Sequence, residues 1–285
     1  MLLHYCKATI KICYSITSQG YYQAIRRMVA REKQLEPVKG LVMYWRQFMP
    51  RIGGKKLYKL IKPKLESLSI KLGRDSFFDY LRENHLLVKP KKNYIKTTNS
   101  QHWMRKHPNL LKEYKPCTAE EVFVSDITYV KSEQGVHYLS LVTDAYSRKI
   151  MGYELSDEMK ATDVVKALDM TVKERLYQND TIHHSDRGLQ YCSEVYQAKL
   201  IESNNITPSM TDGYDCYQNA LAERINGILK QEFLLYKCRN IDELKRLVEE
   251  SIFIYNEMRP HLSLGMQTPN QVHKKDQEQK LLAFH

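Results

Sequence analysis

Three acidic residues stand where chemistry would use them. Asp126 lies inside an otherwise apolar run, SDITYV at 125–130. Asp186 closes a short apolar segment just before a glycine turn in HHSDRGLQY at 183–191. Glu223 lies in DCYQNALAERINGILKQEF at 215–233, which reads as a loop opening an amphipathic helix. A carboxylate in a strand interior is costly unless it is paired or bound to metal. Three carboxylates carried by two strands and a helix of one core can converge. Such a set, with no cysteine and no obligatory histidine, suits Mg²⁺ or Mn²⁺, which prefer oxygen ligands. Two such ions about 3.5–4 Å apart can activate an attacking oxygen and stabilise the leaving oxygen of a phosphodiester. Asp144, Asp212, Asp215, Glu194 and Glu232 compete for the same role, and spacing alone does not choose among them.

Glu223 and Lys230 are seven positions apart, nearly two helical turns, with Asn226 between them. A carboxylate, an amide and an ammonium thus share one stripe of this helix, and Asn219 is placed to cap its start. Taken alone, such a stripe is what any solvated helix face presents.

The elements around these residues predict an α/β layer. Val122–Val130, Tyr138–Val142 and Ile150–Leu155 read as three strands of a meander. Ala161–Leu176 reads as a helix, Thr181–His184 as a short strand, Glu194–Ser203 as a helix and Ile206–Met210 as a strand. Ile241–Met258 makes a last helix, ending at Arg259-Pro260. Three strands followed by alternating helix and strand give a mixed sheet with helices against it.

Ahead of this layer the chain changes character. Residues 1–117 hold 25 Lys and Arg against 7 Asp and Glu, whereas residues 118–285 hold 19 against 26. A basic half joined to an acidic half suggests one part that grips a polyanion and another that uses carboxylates. Residues 1–45 read as basic and helical, with Tyr14, Tyr21, Tyr22, Ile25 and Met28 as an apolar stripe punctuated by Gly20 and Pro37. In 53–87, Leu57, Leu60, Ile61, Leu65 and Leu68 fit one helix that Pro63 should kink or end. Phe77, Phe78, Leu81, Leu86 and Leu87 fit a second helix after Gly73, and lysines and arginines cover the remainder of both. Two short basic helices around a turn suggest a helix-turn-helix module on DNA, with Lys55, Lys56, Lys59 and Arg74 as contacts. Residues 89–118 lack periodicity and read as a basic linker, in which Lys91 and Lys92 can follow phosphates. Six cysteines in no metal-binding or paired spacing read as reduced thiols of a cytosolic protein. No run approaches the length of a membrane span.

With those runs in view, the sequence resembles the integrase-type transposases of bacterial insertion sequences, and in particular the second-frame product of the two-reading-frame group. SDITYV, TDAYSRKIMGYELS, HHSDRGLQYCS, NALAERINGILKQEF and YNEMRPHLSLGMQTP carry the likeness, which runs from about Tyr21 to Val272. The resemblance implies an RNase H-like fold, shared with retroviral integrases, carrying a D, D, E triad. Matched by motif, that triad falls on Asp126, Asp186 and Glu223 as the metal ligands, and Lys230 on the basic residue that holds terminal DNA, with Asn226 on the same stripe as a further expected DNA contact. GGKKLYKLIKPKLESLSIKLGRDSFFDYLRENHLL is similar to the family's helix-turn-helix region.

These readings predict five segments: a basic helical stretch at 1–45, a helix-turn-helix domain at 46–98, a linker at 99–118, an integrase-type core at 119–275 and a tail at 276–285. The expected function is a transposase that cuts transposon ends and joins the freed 3′-hydroxyl to a target, using two Mg²⁺ or Mn²⁺ ions per site. The expected partners are terminal inverted repeats and target DNA, further copies of the chain on DNA, and the upstream-frame product. A non-catalytic DNA-binding regulator and a general RNase H-like nuclease are the rival readings. His183 and His184 suit either support of a ligand carboxylate or a packed strand end. Asp144 is expected to tie the turn near Ser147 and Arg148. Arg259 and His261 suit either a DNA contact or the end of the final helix.

Overall fold

The structure is a computed structural model and describes residues 17–88, 106–112, 114–177, 179–203, 205–212 and 219–275. The expected linker contacts Lys91 and Lys92, the 276–285 tail and most of the loop before Glu223 lie outside those residues. The chain separates into two compact units. One is formed from the residues up to Phe48 and from Gly53–Leu87, the other from Met49–Ile52 and from Val88 onward.

The first unit is helical: α1 (Ser18–Phe48), α2 (Gly54–Ser67) and α3 (Arg74–Glu83). Leu57, Ile61 and Leu65 recur every fourth residue along α2 and are buried, as are Phe77, Tyr80 and Leu81 of α3. The Tyr58 hydroxyl donates to the Leu72 carbonyl at 2.9 Å and fastens the turn between them. Three expectations are corrected here. Pro63 does not end its helix, because the buried stripe continues past it to Leu65. Neither Gly20 nor Pro37 interrupts α1, where Val38 and Val42 are buried just beyond the proline. Of the expected apolar stripe, Tyr14 lies outside the described residues, Tyr21 is half-buried, and Tyr22, Ile25 and Met28 face solvent.

The second unit is built on a five-stranded sheet of β1 (Val122–Ser132), β2 (Gly135–Asp144), β3 (Ile150–Ser156), β4 (Thr181–Ser185) and β5 (Ile206–Met210). Its order is β3-β2-β1-β4-β5. β2 runs antiparallel to both β1 and β3, whereas β4 pairs parallel with both β1 and β5. Helices α4 (Ala161–Lys173), α5 (Glu194–Glu202), α6 (Ala220–Ile228) and α7 (Ile241–Glu257) flank it. This is the mixed, RNase H-like sheet that the resemblance implied.

The central strand is buried on both faces, which accounts for the unbroken Val122-Phe123-Val124 run. Phe123 packs with Val142, Met151 and Ala167 of α4. Val122 and Val124 point the other way and pack with Ala145 and Ala222 of α6. Gly152 lets α4 lie directly on β3. A Cβ there would come within 2.0 Å of the Ala167 carbonyl and 2.3 Å of the Thr171 hydroxyl. Gly152→Ala should therefore destabilise the fold by at least the 1–3 kcal/mol typical of overpacking, about 2 kcal/mol or more. Thermal unfolding checks this, and an unchanged midpoint would contradict it.

Candidate active site

Strand alternation decides where Asp126 points. It shares its parity with Val122 and Val124, so it faces α6. The parallel register pairs Val124 with His184. The pairing ends there, and Asp186, which directly follows β4, stays near enough for its charge to act on Asp126. The turn after β4 is closed by Asp186 itself, whose Oδ1 accepts from the Gly188 backbone N–H at 3.0 Å.

Helix α6 runs alongside β1 and meets it rung by rung. Asn219 Nδ2 donates to the Ser125 carbonyl at 2.9 Å, Asn226 Nδ2 to Asp126 Oδ2 at 2.7 Å, and Lys230 Nζ to Thr128 Oγ1 at 3.1 Å. Asn219 makes no side-chain cap bond to the helix. The expected cap is thus corrected: the amide is spent on the sheet. After Ile228 the helix widens into a π-helical turn, Leu229–Phe233, and Lys230 projects from that turn.

The electrostatics show that the three acids form one group. Burial, then the charges of Asp186 and Glu223, push the Asp126 carboxyl up to about 7, against the lowering effect of the Asn226 bond. Burial and the Asp186 charge also raise Glu223. Burial lowers Lys230, with the Asp126 charge opposing it. Among the described residues, the Oδ1 of buried Asn226 and the hydroxyl of buried Tyr191 have no hydrogen-bond partner. Among the described residues, no three His, Cys, Asp or Glu side chains are gathered closely enough to enclose a metal ion. The acids are coupled by charge without forming a closed cage.

Beneath this group the polar residues are structural. His183 is buried and bonds to Ser125 Oγ at 2.8 Å and to the Tyr196 hydroxyl at 2.9 Å. Burial, and then His184, depress its pKa to about 3. His184 Nδ1 lies 2.9 Å from Ser209 Oγ. Asp144 ties its turn as expected, accepting from the Ser147 N–H at 2.9 Å. Arg259 is fully buried in a two-pronged bond to Glu232, at 2.8 and 2.7 Å, and its third contact is His261.

The competing acids lie elsewhere. Glu232 is held by Arg259, Asp212 pairs with Lys112 at 2.8 Å, Glu194 is exposed on the first turn of α5, and Asp215 lies outside the described residues. Lys55, Lys56, Lys59 and Arg74 belong to the helical unit, where Arg74 pairs with Asp75 at 2.8 Å. Sequence reasoning did not single out Thr128 or Tyr191, whose parts depend on contacts that no local pattern encodes.

A sheet of this order, with acids at the end of β4, in the middle of β1 and on the helix across from it, defines an integrase-type core. Residues 118–216 and 204–269 match two family descriptions, each an integrase core domain. The Insertion element IS600 uncharacterized 31 kDa protein of Shigella sonnei is 32% identical over 261 residues, 90% of this chain and 94% of that protein. Transposase InsF for insertion sequence IS3A of Escherichia coli K12 is 30% identical over 204 residues, 69% of each chain. The HTLV-2 integrase catalytic core domain in complex with magnesium superposes with a TM-score of 0.43 at 15% identity, covering 56% of this chain and 99% of that one. The chain belongs to the insertion-sequence transposases with an integrase core. Among the described residues, no helix is long and apolar enough to cross a membrane.

Because the folded pKa of His183 lies below its unfolded value, protonation favours unfolding. Its contribution to stability is complete above about pH 6.5 and is lost as pH falls towards 3. The His183 imidazole NMR signal should stay that of the neutral ring between pH 8 and 5. A midpoint near 6.5 would contradict its sealed position.

Proposed function

We propose that Asp126, Asp186 and Glu223 hold divalent cations, Mg²⁺ or Mn²⁺ and two per site, and that the chain cuts transposon ends and joins them to a target. What supports this is an integrase core that carries Asp126 on β1, Asp186 directly after β4 and Glu223 on α6, near enough for their charges to be felt by one another. The donors are hard oxygens and their negative charge is concentrated, which fits such cations chemically. When bound, the cations supply Lewis-acid activation of an attacking oxygen and stabilisation of a leaving one.

The chain's own residues do the positioning. Asn226 fixes one oxygen of Asp126, whose carboxyl feels the charges of Asp186 and Glu223. Asp186 is held by the Gly188 amide through Oδ1. Lys230 leaves Thr128 to meet a phosphate of the terminal DNA, its charge offsetting the strand brought against three acids. The first reaction frees a 3′-hydroxyl at the transposon end. That hydroxyl then attacks a target phosphodiester in line, joining the transposon 3′-oxygen to the target phosphorus as the bond to the target's own 3′-oxygen breaks and that oxygen leaves as a hydroxyl, and no covalent protein–DNA link forms. Lys55, Lys56, Lys59, Arg74, Lys91 and Lys92 grip backbone phosphates outside the reacting centre. The substrates are terminal inverted repeats and target duplex, two ends are held by an oligomer, and the upstream-frame product acts with the chain or is fused to it.

The test is cleavage and joining of labelled duplex from the element's own ends in Mg²⁺, comparing wild type with Asp126→Asn. Removing residues that merely support metal ligands costs about 10–100-fold, so loss of a ligand should cost more than about 100-fold. Binding to the same duplex should change little. Cleavage by Asp126→Asn at the wild-type rate would overturn the assignment, and cleavage without joined product would favour a plain nuclease.

A further inference from the structure

The buried pair of Arg259 and Glu232 takes no part in the proposed chemistry, yet it closes on an irregular turn of the helix that carries Glu223 and Lys230. From Ala220 to Ile228 that helix is α-helical, and at Leu229 it widens. The Leu234 N–H reaches back five residues to the Leu229 carbonyl at 2.9 Å, the bond that defines a π turn. Such turns are rare and gather at functional sites. This one changes the direction in which residue 230 leaves the helix, because the 3.6-residue period stops at the residue before it. The side chain so directed is that of Lys230, whose ammonium donates to Thr128 of β1 at 3.1 Å.

An irregular turn keeps its shape only when its surroundings hold it. Leu229 and Phe233 are buried within it, and Glu232 is the carboxylate it carries. Arg259 takes both oxygens of that carboxylate, Nε donating to Oε2 at 2.8 Å and Nη2 to Oε1 at 2.7 Å. Its third arm, Nη1, lies 2.8 Å from His261 Nε2 and must donate there, since a guanidinium accepts no hydrogen bond. The guanidinium carbon sits 5.7 Å from the Tyr255 ring centroid, and the Tyr255 hydroxyl donates to the Arg148 carbonyl at 3.1 Å. The Arg259 N–H is bonded in turn to the Ile254 carbonyl of α7 at 3.0 Å. The fork is thus fixed by its own backbone, by an aromatic ring and by a histidine before it meets Glu232. A planar fork on both oxygens sets the direction of a carboxylate as well as its distance. Fully buried ion pairs of this kind contribute little net stability over apolar residues of the same size, so orientation is the better account of it.

We infer that Arg259, acting through Glu232, is the positioning residue for Lys230: it holds the π turn and so sets where the lysine stands beside the acids. The inference rests on the DNA-joining reading above, in which Lys230 meets a phosphate of the terminal DNA. It gives the YNEMRPH run at 255–261 a part in that reading without any contact to DNA.

The experiment uses the full chain and two variants. R259K keeps a positive charge opposite Glu232 but lacks the fork. E232L/R259M removes both charges at once, so that neither is left buried alone. R259K alone decides the test if the double variant fails to fold. The first readout needs no DNA. The NMR signals of the Lys230 side chain should move in each folded variant, and the Leu234 amide should exchange its hydrogen faster than in wild type. The second readout is affinity for end duplex against KCl concentration, by fluorescence anisotropy. K230Q should reduce the slope of log affinity on log salt by about 0.9, the value of one phosphate contact. R259K and E232L/R259M should reduce it by no more than that, and adding K230Q to either should bring the total to the K230Q value and no further. A merely structural role would instead add its loss to that of K230Q. Additive losses, or Lys230 signals that stay at their wild-type positions, would overturn the inference. A wild-type slope in K230Q, with the Lys230 signals still displaced in R259K, would uphold the positioning and count against the DNA contact of Lys230 alone.

Discussion

Asn226 donates to Asp126 across 2.7 Å, and much of the core is arranged around that bond. Asp126 places a charge in the middle of the central strand, beside two further carboxylates. Burial and like charge both disfavour its ionised form, and only the Asn226 amide and a backbone bond oppose them. Helix α6 answers this strain in order along β1, with Asn219 on the Ser125 carbonyl, Asn226 on Asp126 and Lys230 on Thr128. The result is a cluster of negative charge held in place but not neutralised.

Holding it requires a rigid surround. The end of the Glu223 helix is anchored through Glu232 to buried Arg259, which follows α7. Asn256 of α7 grips Ile150 through both its N–H and its carbonyl, at 3.0 and 2.9 Å. On the far side, buried His273 lies between Asp144 and Glu120, at 3.3 and 3.2 Å. Burial works against a charge on His273, but its bonds to Asp144 and Glu120 outweigh that and raise its pKa. These tethers are polar, buried and long-range, so they fix position more than they add net stability.

The sheet was legible because its strands are apolar runs bounded by turn residues. Ile206–Met210 was bounded as read, and the other strands extend the readings by one to three residues at an end. Asp126, Asp186 and Glu223 stood out because each interrupts such a run or opens a helix. What stayed hidden is set by contacts between distant residues. Asn226 looked like part of a solvated stripe and is buried on Asp126 instead. Asn219 looked like a helix cap and bonds the sheet. Arg259 looked like a DNA contact or a helix end, and its partner Glu232 is 27 positions away. Pro37 and Pro63 looked like breaks, yet buried residues just beyond each keep the helix in register.

The most direct test of the account reads the charge cluster itself. Carboxyl ¹³C NMR would follow Asp126 through a pH titration of the full chain, without and with Mg²⁺. The account predicts titration near 7 in the metal-free protein. With Mg²⁺ present it predicts a fall to below about 4, the ordinary aspartate value, because the cation replaces repulsion with attraction. An Asp126 that titrates near 4 and ignores Mg²⁺ would contradict the claim that these three carboxylates act as one cation-holding unit.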